Sequence, residues 1–151
     1  DAKMIIYVLS DSIARRLREQ KLFCKTVTVY VKTKNLTGFS RQCTLPEHTN
    51  LEKIISDSAI SLFLTSCNLS VPVRAIGIAV GDLTDKKGFA QLDIYGNVQK
   101  AEKTEKLERA EDELKNRFGS HCVKRGLLIK DSKLTDFDPK ITHTVHPVGY
   151  C

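Results

Sequence analysis

The sequence predicts an α+β fold: a β-sheet of three to four strands, two helices packed on one face of it, and a C-terminal helical extension. Three observations carry this reading. Residues 26–45 read as two strands joined by a polar, glycine-containing turn, with Val27, Val29 and Val31 alternating against Thr26, Thr28, Tyr30 and Lys32. Segments of helical periodicity stand on either side of that hairpin, and a third strand follows. The order helix, strand, strand, helix, strand places both helices on the same side of one sheet.

Each element has its own signal. In residues 2–21, Met4, Ile5, Val8, Leu9, Ile13 and Leu17 recur at three- and four-residue steps, as a helix requires. Arg15, Arg16 and Arg18 then fall on a solvated helix face. On the second strand Ser40, Arg41, Gln42 and Thr44 supply polar groups, and Pro46 is expected to end it. Thr49-Asn50-Leu51-Glu52 has capping-box spacing, opening a helix to about Leu64 that buries Leu51, Ile54, Ile55, Ala59, Leu62 and Phe63. The third strand is Val71 to Gly81.

Residues 84–98 read as a linker. A charged helix then runs from about Lys100 to Phe118 and stops at Gly119, a left-handed cap. Its thin apolar stripe, Ala101, Leu107, Ala110, Leu114 and Phe118, is expected to dock along one seam, with Lys103, Glu105, Lys106, Glu108, Arg109, Glu111 and Asp112 around it. Val123 and 127–129 are strand-like, before a polar tail. The expected organisation is a domain over 1–83, the linker over 84–98, and a helix with tail over 99–151.

Charge is unevenly placed. The 151 residues carry a net charge of +6, and residues 1–45 hold nine Lys and Arg against Asp1, Asp11 and Glu19, so the remainder is neutral. Concentrating the whole excess around one strand pair points to a polyanion partner. Five cysteines without a Cys-x-x-Cys pair fit a reduced, cytoplasmic protein. No apolar run approaches the ~20 residues of a membrane span, and no signal peptide is visible at the start.

No catalytic site is expected. Phosphoryl transfer needs clustered carboxylates holding metal ions. Asp82 with Asp85, and Asp136 with Asp138, only approximate that. His143-x-x-His146 with Cys151 nearby lacks the fourth ligand of a structural zinc site, so no metal is assigned. The hairpin is different. Its open face of hydroxyls, amides and ammonium groups suits a phosphate backbone held without reading bases, and the candidate contacts are Thr28, Tyr30, Lys32, Lys34, Ser40, Arg41, Gln42 and Arg74. Arg41 leads, because a guanidinium matches phosphate geometry.

Thr26 to Val31, followed after a turn by Ser40-Arg41-Gln42-Cys43-Thr44-Leu45-Pro46, resembles the little finger domain of Y-family translesion DNA polymerases, the DNA polymerase IV and UmuC-like group. Cys43 stands where that pattern often has a second Arg. The resemblance implies a parent enzyme that adds nucleotides past damaged bases with Mg²⁺, using carboxylates of a palm domain absent from these residues. It implies that this chain grips damaged duplex or primer–template DNA. Domains of this kind begin with a strand before the first helix, so a piece of a longer polymerase is expected, with one sheet edge open to another segment or molecule. The segment Thr142 to Tyr150 is a candidate for that place.

Gln91-Leu92-Asp93-Ile94-Tyr95 resembles the motif that binds the bacterial sliding clamp, where an amide orients the peptide and two apolar side chains fill pockets. Read plainly, the same residues form an amphipathic edge strand. Two rival functions follow: a clamp-bound module that never touches DNA, and an RNA-binding sheet. The second lacks paired aromatics, since only Tyr30 faces out.

Overall fold

The valine alternation read from the sequence forms the middle of the molecule. In the computed structural model, which describes residues 1–67, 72–86, 97–131 and 135–139, Cys24–Thr33 is strand β1. It pairs antiparallel with β2 (Gly38–Thr49) on one side and β3 (Val73–Gly81) on the other, giving the order β2-β1-β3. Helices α1 (Ala2–Glu19) and α2 (Glu52–Ser66) cover one face. Helix α3 (Asn97–Phe118) and a short 3₁₀ helix (Gly126–Lys130) complete the described elements. The α+β architecture is the expected one, with three strands among the described residues.

Val27, Val29 and Val31 are buried beneath the two helices, with Ile6, Ala14, Leu17, Ile55, Ala59 and Phe63 packed against them. Burying each of the valine, leucine, isoleucine and phenylalanine side chains contributes on the order of 1.5–3 kcal/mol.

Several expectations about element ends are corrected. Helix α1 stops at Glu19, because Lys21 adopts φ 55° and closes a Schellman turn: Leu22 N–H donates to Leu17 O at 2.8 Å and Lys21 N–H to Arg18 O at 3.1 Å. A lysine in the usual glycine position hid that stop from the sequence. Pro46 does not end β2, which continues to Thr49. β2 is an edge strand and its register with β1 shifts between Cys24 and Thr26, so no ladder bond from Pro46 is needed. Residues 127–129 lie in the 3₁₀ helix and Val123 lies in no strand. Ile54 is exposed, while Ser56 and Ile60 are buried on α2. Val71, the expected start of the third strand, lies outside the described residues, as does the side chain of Ala101.

Helix α3 reverses its expected orientation. Leu107, Ala110, Leu114 and Phe118 face solvent, and the docked face carries Glu108, Asp112 and Lys115. Arg18, far from a solvated arginine, is enclosed between α1 and α3. It pairs with Glu108, holds Asp112 through two bonds of 2.5 and 2.9 Å, and donates to Asn50 O at 3.1 Å. Lys115 reaches Asp11 at 2.8 Å, Arg15 donates to Asn116 Oδ1 at 2.6 Å, and Arg16 to Pro139 O at 3.0 Å.

The capping box is also replaced. Thr49 Oγ1 accepts from Leu51 N–H at 3.2 Å, and no side chain of the N-cap residue caps α2. Instead Glu108 accepts the backbone N–H of Glu52 at 3.0 Å and of Lys53 at 3.4 Å, so a carboxylate from α3 satisfies the first donors of α2. Gly119, with φ 97°, ends α3 as expected.

Burial pushes the Glu108 carboxyl up to about 7, against the pull of the Arg18 guanidinium and the Lys53 N–H. Burial opposes the charge of Arg18 too, yet the hydrogen bond and attraction of Asp112, with Glu108, hold its pKa above the ordinary arginine value. A raised carboxyl pKa means that the folded state favours the protonated form. The contribution of Glu108 is therefore complete below its ordinary value of 4.5 and is lost as pH rises to about 7. Urea midpoints of wild type relative to Glu108→Gln should fall across that window and level off above it. A difference that is flat or rises with pH would contradict the assignment.

Candidate nucleic-acid interface

Register decides which side chains share the open face. Tyr30 stands opposite Ser40 on β2 and Gly77 on β3, Thr28 opposite Gln42 and Ala79, and Lys32 opposite Gly38 and Ala75. Directly opposed residues project to the same side of a sheet. Thr28, Tyr30, Lys32, Ser40 and Gln42 are therefore brought together on the face away from α1 and α2. Thr26 and Thr44, opposed to each other and to Gly81, extend that row. Neither was among the candidates, although the β1 alternation alone includes Thr26.

The face is bare where it needs approach. Tyr30 is 50% exposed. On β3 the neighbouring positions are Ala75, Gly77, Ala79 and Gly81, so nothing on that strand rises above the backbone by more than a methyl group. A Cβ at Gly77 would sit 3.7 Å from the Cβ of Tyr30, which keeps the tyrosine ring's flank clear.

The two ends of the face differ in charge. Lys34, in the turn, donates its backbone N–H to Pro72 O at 2.9 Å, and Arg74 follows two residues later at the start of β3. Together with Lys32, opposite Ala75, they make one end cationic. At the other end Thr26 Oγ1 bonds the Asp82 carboxylate, and Asp82 takes φ 51°, a backbone region that Asp tolerates. That bond keeps Asp82 as a lid on the strand end.

Arg41 is placed elsewhere. It stands opposite Val29 and Ile78, on the side of the sheet that the helices cover, and remains exposed because β2 is an edge. Its guanidinium lies 5.8 Å from the Phe39 ring centroid and donates to Ser40 O at 3.0 Å. Cys43 shares that side, opposite Val27. An arginine there would not add to the open face.

Among the described residues no three His, Cys, Asp or Glu side chains converge as a metal site. Burial raises the Cys24 thiol to about 11 and the thiol donates to Thr49 O, which makes it a packing group and not a nucleophile. Gln91, Leu92, Asp93, Ile94 and Tyr95, and the tail with His143, His146 and Cys151, lie outside the described residues. No helix among the described residues is long and apolar enough to cross a membrane.

Against known families, the profile of the impB/mucB/samB family C-terminal domain matches residues 1–94, which span α1, the whole sheet and α2. The chain belongs to that family. It is the little finger domain of Y-family polymerases of the DNA polymerase IV type, as the strand motifs indicated. Among curated relatives, "DNA polymerase IV" of Acetivibrio thermocellus is 37% identical over 134 residues, covering 89% of this chain and 34% of that protein. "DNA polymerase IV" of Clostridium kluyveri is 30% identical over 138 residues, covering 87% and 34%. "DNA polymerase IV 2" of Halalkalibacterium halodurans is 28% identical over 130 residues, covering 84% and 31%. The chain thus spans about a third of the length of these relatives.

Proposed function

We propose that this chain is the DNA-gripping part of an error-prone translesion DNA polymerase, holding duplex or primer–template DNA by its phosphate backbone. The observation that carries the reading is the co-facial row of Thr28, Tyr30, Lys32, Ser40 and Gln42 beside a strand of alanines and glycines. Hydroxyl, amide and ammonium donors on a flat surface suit phosphates and sugars, and carry no base-edge code. Lys34 and Arg74 add charge at one end. Arg41 acts from the rim, reaching around the edge of β2. Nucleotide addition with Mg²⁺ belongs to the parent's other two thirds, and this chain supplies no catalytic group.

The same reading assigns residues 1–83 to the DNA grip, 84–98 to the connection and 99–151 to the helical extension. A further strand, from the parent or from a second molecule, would find unpaired backbone along an outer edge of β2 or β3. In the connection, Gln91, Leu92, Asp93, Ile94 and Tyr95 tether the polymerase to the bacterial sliding clamp. The support is the anchor pattern of the five residues and their place ten residues after β3, at the end of the span that the family matches. Such a protein works in the cytoplasm at damaged DNA.

Affinity for two unrelated duplexes, followed by fluorescence anisotropy at several salt concentrations, should be equal and steeply salt-dependent. Lys32→Ala should weaken both alike and reduce the salt slope by about one. Arg41→Ala should have the smaller effect. Unchanged affinity in Lys32→Ala and in Tyr30→Ala would remove the sheet face from DNA binding.

Leu92→Ala with Tyr95→Ala should weaken calorimetric binding to the purified clamp at least roughly tenfold, since each anchor is worth on the order of 1–3 kcal/mol. Duplex affinity should not change. Clamp binding that survives the double substitution would leave residues 91–95 as an ordinary edge segment.

A further inference from the structure

Helix α3 is docked inside out. Glu108 and Lys115 are 6% and 7% exposed, whereas Leu107, Leu114 and Phe118 are 59%, 43% and 65% exposed. At about 100° per residue the three apolar side chains fall within an arc of roughly 40°, in line over ~16 Å of helix, and the docked charges centre about 90° away. A helix held by buried ion pairs gives up desolvation energy that leucine packing would not cost. That arrangement leaves the apolar stripe free.

The stripe has a charged border. On its side away from the domain stand Lys103, Lys106 and Arg117 with one exposed carboxylate, Glu113, beside them, so the border is net cationic. None of the three cations is in an ion pair among the described residues, although Arg109 is paired with Glu105 at 2.8 Å. The Arg117 guanidinium lies over the Phe118 ring, 5.2 Å from its centroid, extending the apolar surface toward the cationic border.

We propose that this stripe of α3 is the docking site for an acidic amphipathic helix of a partner protein. Three residues in one line make a seam that fits the edge of one facing helix. The cationic border selects carboxylates beside that helix's apolar positions. A second copy fits poorly. Antiparallel pairing sets each border of Lys and Arg against its own twin, and parallel pairing sets it against the side of α3 occupied by the domain body. A lipid surface calls for an apolar face of about 100° or more, wider than this seam. The proposal is independent of the DNA-binding reading, because the stripe and the open sheet face use different residues.

The test uses the whole chain and a fluorescein-labelled three-heptad peptide with leucines in its seam and glutamates beside them, against a twin carrying lysines. The acidic peptide should bind at least roughly tenfold more tightly than the basic one. Leu114→Ser with Phe118→Ser should abolish that binding without changing the thermal melt or duplex affinity, since both side chains face solvent. Lys103→Glu, Lys106→Glu and Arg117→Glu together should reverse the preference between peptides. Equal binding of the two peptides, or acidic-peptide binding that survives both sets of substitutions, would overturn the proposal. So would a dimer in sedimentation velocity, or capture by phosphatidylglycerol-containing vesicles, that Leu114→Ser with Phe118→Ser removes; either result gives the stripe another occupant.

Discussion

Among the described strands every cross-strand pairing has β1 as one partner, and that central position constrains the rest of the molecule. A strand paired on both sides has a fixed register, so its period of two divides the domain into a dry side and a wet side. Val27, Val29 and Val31 commit one side to α1 and α2. Thr26, Thr28, Tyr30 and Lys32 are then left facing outward with whatever β2 and β3 place opposite them. A slip of one residue would exchange the two sets, burying Lys32 and exposing three valines. Core and candidate interface are therefore the same decision.

The second constraint is ionic. Arg18 on α1 joins Glu108 and Asp112 on α3, and Glu108 in turn caps the first turn of α2. Three helices thus meet at one carboxylate. Such a cluster does little for net stability compared with apolar packing, but it holds one orientation, because each partner left alone would be a buried unpaired charge. Nearby, Arg125 pairs with Glu52 and covers the Tyr7 ring at 4.9 Å, joining the segment after α3 to the same corner. Helices α1 and α2 and the C-terminal extension are linked by charge, through residues that do not belong to the open face.

Much of this was legible in the sequence, and most of the failures share a cause. The β1 alternation, the element order and the Gly119 stop depend on local chemistry, which a sequence displays directly. The side of the sheet that Arg41 takes was not legible, because the face of a β2 residue depends on register across the turn, and composition alone does not supply that register. Pro46 misled because its meaning depends on β2 being an edge. For α3, the apolar stripe looked like the docked face until Arg18, 90 residues earlier in the chain, was seen to draw Glu108 and Asp112 inward. Thr26 and Thr44 were missed although the same alternation and pairing place them on the open face. Long-range charge pairing leaves no periodic trace.

The central claim is that nucleic acid meets the threonine side of β1 and not the valine side. Methyl-resolved NMR of the whole chain, titrated with a short duplex at low salt, reads those two sides separately. The γ-methyl groups of Thr26, Thr28 and Thr44 should shift with the titration, while those of Val27, Val29 and Val31 hold still. Shifts confined to the valines and to the methyl groups of α1 and α2, with the threonines unmoved, would contradict it.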